Sequence, residues 1–176
     1  MGRALPGPAY IKHKIKRIDR LLGNPNLKAE RQELYRVMTR WLLQSLPLPL
    51  IIIDWSPLTA DQSQQLLRAA LPTSGRTLTL YEEIHPRKKR GNPRAQQQFL
   101  SRLQAFIPSG VTPIIVADAG FHTPFFRAVE ALNWHWLGRI RGRDFIAWTD
   151  QPELWLPAKS LYARATRKAK CLGKAL

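Results

Sequence analysis

The sequence has almost no cysteine. Cys171 stands alone, which excludes an intrachain disulfide and a cysteine-based zinc site and suits a reducing compartment. Long apolar runs are missing too. The amino terminus, Met1-Gly2-Arg3-Ala4-Leu5-Pro6, lacks the apolar core of a secretory signal, and the longest apolar run is too short and too proline-flanked to cross a bilayer. A cytoplasmic protein is expected. There is no GxxxxGK[ST] loop, no zinc-ligand cluster, no Gly-x-Ser-x-Gly elbow and no internal repeat. Acids are scarce: 12 Asp and Glu stand against 28 Lys and Arg, a formal charge of +16. Such an excess creates a field that attracts polyanions, so nucleic acid is the expected partner.

What is present fits one globular domain with ragged ends: 176 residues, 44% of them hydrophobic. The central stretch, residues 48–58, contains Leu50-Ile51-Ile52-Ile53 and then Asp54. An Ile-rich run bounded by prolines reads as a strand buried on both faces, with Asp54 at its carboxyl end. Residues 113–121 repeat the pattern: Ile114-Ile115-Val116-Ala117 delivers Asp118 into a turn containing Gly120. If these strands are neighbours, two carboxylates converge at one sheet edge. Paired carboxylates are hard oxygen ligands suited to divalent metal and hence to phosphoryl chemistry.

The flanking segments supply helices and cations. Ile11, Ile15, Ile18 and Leu22 recur at helical spacing, while Lys12, Lys14, Lys16, Arg17 and Arg20 crowd the other faces; Gly23-Asn24-Pro25 stops this basic amphipathic helix. Residues 28–46 predict a second helix, whose stripe Leu34, Val37, Met38, Trp41, Leu42 and Leu46 is expected to pack in the core. Residues 59–71 are ambiguous. The helix propensity of Gln64, Gln65, Leu66, Leu67, Ala69 and Ala70, with Asp61 as a cap, favours a short helix. Residues 77–81 alternate as a half-buried strand, and the densest basic run, Arg87-Lys88-Lys89-Arg90, follows as a loop placed to touch a phosphate backbone.

Asn92-Pro93 opens a helix through about Ile107 that buries Phe99, Leu103, Phe106 and Ile107. Thr123-Pro124 caps and opens another with Phe125, Phe126, Val129 and Leu132 inward. Residues 134–141 alternate as a strand, with residues 145–148 pairing back on it as a hairpin. Beyond Pro157 the chain is a basic tail without a period. His85, His122 and His135 are scattered and read as surface or capping residues; of these, His122 alone lies near the carboxylates. The pattern predicts an α/β fold with a mixed sheet, divided as a basic helical segment (1–46), a core (47–150) and a basic tail (151–176).

Four segments in this order, Ile15-Lys16-Arg17-Ile18-Asp19-Arg20-Leu21-Leu22-Gly23-Asn24, Ile52-Ile53-Asp54-Trp55-Ser56, Leu80-Tyr81-Glu82-Glu83-Ile84-His85-Pro86 and Val116-Ala117-Asp118-Ala119-Gly120-Phe121, resemble bacterial insertion-sequence transposases of the DDE type. The resemblance is to the IS-four-like branch, whose third acid lies in a Tyr-Arg-Glu-Lys signature. It implies an RNase H-like mixed sheet flanked by helices, with strands one to three as an antiparallel meander and residues 64–71 as strand two, against their propensity. It further implies Asp54 and Asp118 as catalytic ligands of Mg²⁺ or Mn²⁺, DNA cleavage and strand transfer, double-stranded DNA (transposon ends and target) as partner, and a homodimer on that DNA. The Tyr-x2-Arg-x3-Glu-x6-Lys pattern does not occur after Asp118, where the acids are Glu130, Asp144, Asp150 and Glu153. A truncated form, incomplete at the carboxyl end and inactive alone, is therefore expected. Two other readings are a non-catalytic DNA-binding module that occupies transposon ends or inhibits a full-length transposase, and a phosphohydrolase with Asp54 as nucleophile. The last is weakened by Ser56, where such chemistry wants a second Asp.

Overall fold

The computed structural model describes residues 6–142 and 144–175, with Lys28 described by its backbone alone. Of the irregular lead-in expected over residues 1–10, residues 1–5 lie outside the described residues, and 6–10 are bends without helix or strand. The elements in order are α1 (Ile11–Leu22), α2 (Pro25–Leu43), β1 (Leu50–Pro57), β2 (Gln64–Thr73), β3 (Arg76–Pro86), α3 (Pro93–Phe106), β4 (Ile114–Ala117), α4 (Thr123–Glu130), β5 (His135–Gly138), β6 (Phe145–Trp148) and β7 (Gln151–Pro157). Short 3₁₀ turns follow β3 and β7.

Five strands form one mixed sheet in the order β3-β2-β1-β4-β5. β1, β2 and β3 are an antiparallel meander, and β4 and β5 add in parallel on the other side of β1. This mixed α/β architecture, a five-stranded sheet flanked by helices, is consistent with an RNase H-like fold. β6 and β7 form a separate antiparallel pair. Residues 145–148 therefore pair forward with β7, not back onto the strand at Trp134 as expected. That strand is itself short, His135–Gly138, and leaves Ile140 50% exposed beyond it. The turn expected at residues 141–144 includes Arg143, outside the described residues; Asp144 Oδ2 accepts the Arg141 backbone N–H at 2.6 Å.

Residues 64–71 are strand, not helix. Their propensity is helical, but β2 sits between two long strands and exchanges backbone hydrogen bonds with both, which outweighs tenths of a kcal/mol per residue of intrinsic preference. Asp61 caps a turn instead. Its Oδ1 accepts from Thr59 Oγ1 at 2.5 Å, Ser63 Oγ at 2.9 Å and Ser63 N–H at 3.1 Å, and β2 starts directly afterwards. β3 likewise runs beyond residue 81, through Pro86.

The core lies on one face of the sheet. Ile51, Ile53, Leu67, Ala69 and Leu80 meet Phe99, Leu103 and Phe106 of α3 and Phe125 and Val129 of α4. Asn92 caps α3 by accepting the Ala95 N–H at 3.1 Å, and Pro93 fills the first turn. α4 starts at its expected cap, one residue early: Thr123 is helical and His122 occupies the N-cap without a side-chain bond.

α2 does not bury the stripe expected of it. Leu34, Val37, Met38 and Trp41 are 43–69% exposed and Leu46 is 38% exposed. Leu42 alone of the stripe packs on the core, and the neighbouring face docks with it through Tyr35, Thr39 and Leu43. Thr39 Oγ1 donates to the Leu80 carbonyl at 2.8 Å, and the Tyr35 and Tyr81 rings meet edge to face at 5.3 Å. These polar and aromatic contacts aim the helix at the β3 edge, where a purely apolar stripe carries no such direction. Burial, with the charge of Glu82 beside it, pushes the Tyr35 hydroxyl up to about 12. α1 buries no residue.

Candidate functional site

Ile53 of β1 lies opposite Ala117 of β4 in parallel register. Asp54 and Asp118 are the next residues on each chain, so the topology brings both predicted acids to adjacent positions. The alternation of β1 places Ile51, Ile53 and Trp55 inward, and Asp54 on the face opposite the helices. β1 runs on to Pro57; Asp54 is therefore inside the strand rather than at its end. Its backbone is fixed by pairing with Arg68 of β2 on the other side.

β4 ends one residue before Asp118, which turns the chain. Its Oδ1 accepts the Gly120 N–H at 2.8 Å, and the Asp118 carbonyl accepts the Phe121 N–H at 3.2 Å. Phe121 is then buried against Phe125. One carboxylate is thus held by a strand and the other by a turn locked onto the core. Burial raises the Asp54 carboxyl above the ordinary range; the Trp55 backbone N–H opposes this, the charge of Asp118 adds to it and the charge of Arg90 offsets it. The two carboxylates are near enough to act on each other.

Arg90, whose charge offsets the rise at Asp54, belongs to the basic run. Arg87–Lys89 form a 3₁₀ turn. The Arg87 N–H donates to the Ser63 carbonyl and the Leu58 N–H to the Gln64 carbonyl, both at 2.9 Å, which ties the turn to the end of β1. Gly91 follows at φ +71°, a left-handed conformation, and swings the chain into α3. Arg87, Lys88 and Lys89 are exposed on this turn. Lys12, Lys14, Lys16, Arg17 and Arg20 lie elsewhere, on α1, whose surface is largely exposed.

The remaining acids after Asp118 have other places in the fold. Glu130 Oε1 accepts the Trp136 indole N–H at 2.9 Å, Asp144 caps its own turn, Asp150 lies between β6 and β7, and Glu153 is on β7. Among the described residues no group of three His, Cys, Asp or Glu is arranged to hold a metal. The donor set at Asp54 and Asp118 is two carboxylates, which fits part of the oxygen shell of a hard divalent cation. Among the described residues no helix is long and apolar enough to cross a membrane.

Sequence reasoning missed two polar arrangements. On the open face, Arg68 Nε pairs with Glu82 Oε2 at 2.9 Å beside Asp54. On the helix face, buried Glu83 receives the Tyr81 hydroxyl and the Arg102 guanidinium, each at 2.7 Å. His85 is no surface residue: it is 9% exposed, with Nε2 at 2.9 Å from Glu83 but poorly aligned for a hydrogen bond, and its ring lies 5.4 Å from that of Trp55. The one signal was the adjacent pair Glu82-Glu83 within an apolar strand, since consecutive strand positions put one carboxylate on each face of the sheet.

Residues 45–169 match the family of the transposase DDE domain. The chain belongs to that family. The match covers well over half the chain and takes in both Asp54 and Asp118. No curated protein and no solved structure matches.

Proposed function

We propose that this chain carries the DNA-processing site of an insertion-sequence transposase, of the IS-four-like branch, and that Asp54 and Asp118 are two of its metal ligands. The observation that carries the reading is their adjacency across β1 and β4 inside a transposase DDE domain. Mg²⁺ or Mn²⁺ is the cofactor, and when bound it neutralises charge on the phosphodiester oxygens and activates the attacking oxygen. Asp54 contributes from a rigid strand. Asp118 contributes from the turn that Gly120 and Phe121 hold, so the spacing of the two does not depend on a mobile loop.

Double-stranded DNA, as transposon end and target, is the substrate. Lys12, Lys14, Lys16, Arg17 and Arg20 of α1 and Arg87, Lys88, Lys89 and Arg90 of the turn contact its phosphates, which position the duplex without reading its sequence. Arg90 has the distinct role of meeting the phosphate nearest the carboxylates. Homodimerisation on the DNA and a cytoplasmic setting belong to the same reading.

Among the described residues no third His, Cys, Asp or Glu joins Asp54 and Asp118, so strand transfer by this chain alone is expected to be weak. The same observation, with the charge of +16, supports a second reading as a DNA-binding module that occupies ends or inhibits an active transposase. Gel-shift and strand-transfer assays on duplex DNA with Mg²⁺ discriminate. The first reading expects salt-dependent binding and, when a third carboxylate is supplied in trans by an active transposase, joined products that depend on Asp54. Unchanged product yield on replacing Asp54 with Ala favours the second reading, and salt-independent binding contradicts both.

A further inference from the structure

Asp54, Arg68 and Glu82 form one row across the open face of the sheet. Asp54 is the register partner of Arg68 on β2, and Arg68 is the register partner of Glu82 on β3. Directly opposed residues on antiparallel strands place their Cβ atoms about 4.5–5.5 Å apart, so the long Arg68 side chain has a carboxylate within reach on either side. It takes Glu82: Nε lies 2.9 Å from Glu82 Oε2, with the two side chains 44% and 32% exposed. Glu82 is itself placed at the sheet edge that α2 covers, with its charge beside the Tyr35 hydroxyl.

The choice has a chemical consequence. Asp54 shares its surroundings with Asp118, and the two carboxylates together attract a cation more strongly than one does. Without a competing anion on β3, Arg68, the register partner of Asp54, is free to turn toward that site, where the charge of Arg90 already acts. A guanidinium seated on Asp54 in the carboxylate's bidentate geometry occupies the same oxygens that a divalent ion needs.

We propose that Glu82 is a positioning residue that holds Arg68 off Asp54 and so keeps the Asp54 carboxylate open to a divalent cation. This rests on the reading of Asp54 and Asp118 as metal ligands. Glu82 touches neither metal nor DNA in this role; it acts through Arg68.

Mn²⁺ titration followed by electron paramagnetic resonance, on the full chain, tests it with four proteins: the unsubstituted chain, Glu82→Gln, Arg68→Ala, and both substitutions together. Both side chains are partly solvated and outside the core, so the fold tolerates each change. Glu82→Gln is expected to weaken Mn²⁺ binding about fivefold, the scale of a partly exposed ion pair. Adding Arg68→Ala is expected to restore affinity to within about twofold of the unsubstituted chain, and Arg68→Ala alone to bind at least as tightly. Glu82→Gln with unchanged affinity overturns the proposal, as does a double variant as weak as Glu82→Gln. Failure of the underlying reading has a different signature: Asp54→Asn then binds Mn²⁺ as well as the unsubstituted chain does.

Discussion

Asp54 and Asp118 each stand one residue beyond a matched pair, Ile53 opposite Ala117, on adjacent parallel strands. Their proximity is a consequence of register, because a one-residue slip turns every side chain of a strand to the other face. The buried Ile51, Ile53, Ile115 and Ala117 pin that register from the core side. The apolar residues that make the strands therefore also set the spacing of the acids.

An acid held partly buried beside another acid costs stability. The Asp54 carboxyl titrates above its ordinary range, chiefly through burial and then through Asp118. A raised folded value means that the unfolded chain loses this proton first as pH rises, so stability is full below the unfolded pKa and falls as pH passes through the folded one. Asp54→Asn is expected to raise the melting temperature at pH 7 without metal, and the gain should shrink toward zero as pH falls below the unfolded carboxylate range. Calorimetric melts of both proteins across pH check this. A variant that melts lower at pH 7 contradicts the raised value.

The docking face of α2 separates two residues that look alike in the sequence. Leu43 is fully buried and Trp41 is 69% exposed. Leu43→Ala is expected to cost about 2–5 kcal/mol, and Trp41→Ser to stay within about 0.5 kcal/mol, measured by urea unfolding. Equal losses would mean that the apolar stripe is the packed face after all.

Gly138 marks where β5 meets α4. A Cβ there would lie 2.6 Å from Phe126 Cζ. That ring is backed by Trp136 at 4.4 Å and Phe125 at 5.5 Å between centroids, so it has little room to retreat. Gly138→Ala is expected to destabilise by about 1–3 kcal/mol, lowering the melting temperature by several degrees, about 2–4 °C per kcal/mol at this chain length. An unchanged melt would show that the ring moves freely.

The strands carrying Asp54 and Asp118, and the helices α1, α3 and α4, were legible because each has a strong local mark: an Ile-rich run, a helical period, or an Asn-Pro or Thr-Pro start. β2 was not legible from its residues, since Gln, Leu and Ala favour helix and only pairing with two neighbours makes them strand; the family resemblance supplied what propensity lacked. The α2 stripe failed for a related reason. Periodicity finds an apolar face without saying what covers it, and Tyr35 and Thr39 were overlooked because their value lies in partners on β3, distant in sequence. The hairpin of β6 and β7 was missed because Trp134 to Ile140 alternates like a strand long enough to take a partner, whereas pairing stops at Gly138. Arg68, Glu82 and the buried Glu83 network depend on cross-strand register, which no single segment records. Asp54 and Asp118 were nominated by residue type and by the apolar runs that precede them, and the register of β1 and β4 makes them neighbours.

The central claim is that Asp54 and Asp118 together hold one divalent ion, and Mn²⁺ binding to the full chain with single substitutions at each acid tests it most directly. The full chain is expected to bind one Mn²⁺ at this site, Asp54→Asn and Asp118→Asn each to weaken that ion's binding on the order of tenfold, and the double variant to bind it more weakly than either. Two ions per chain, each lost with only one of the substitutions, or singles that bind Mn²⁺ as the unsubstituted chain does, would contradict a shared site.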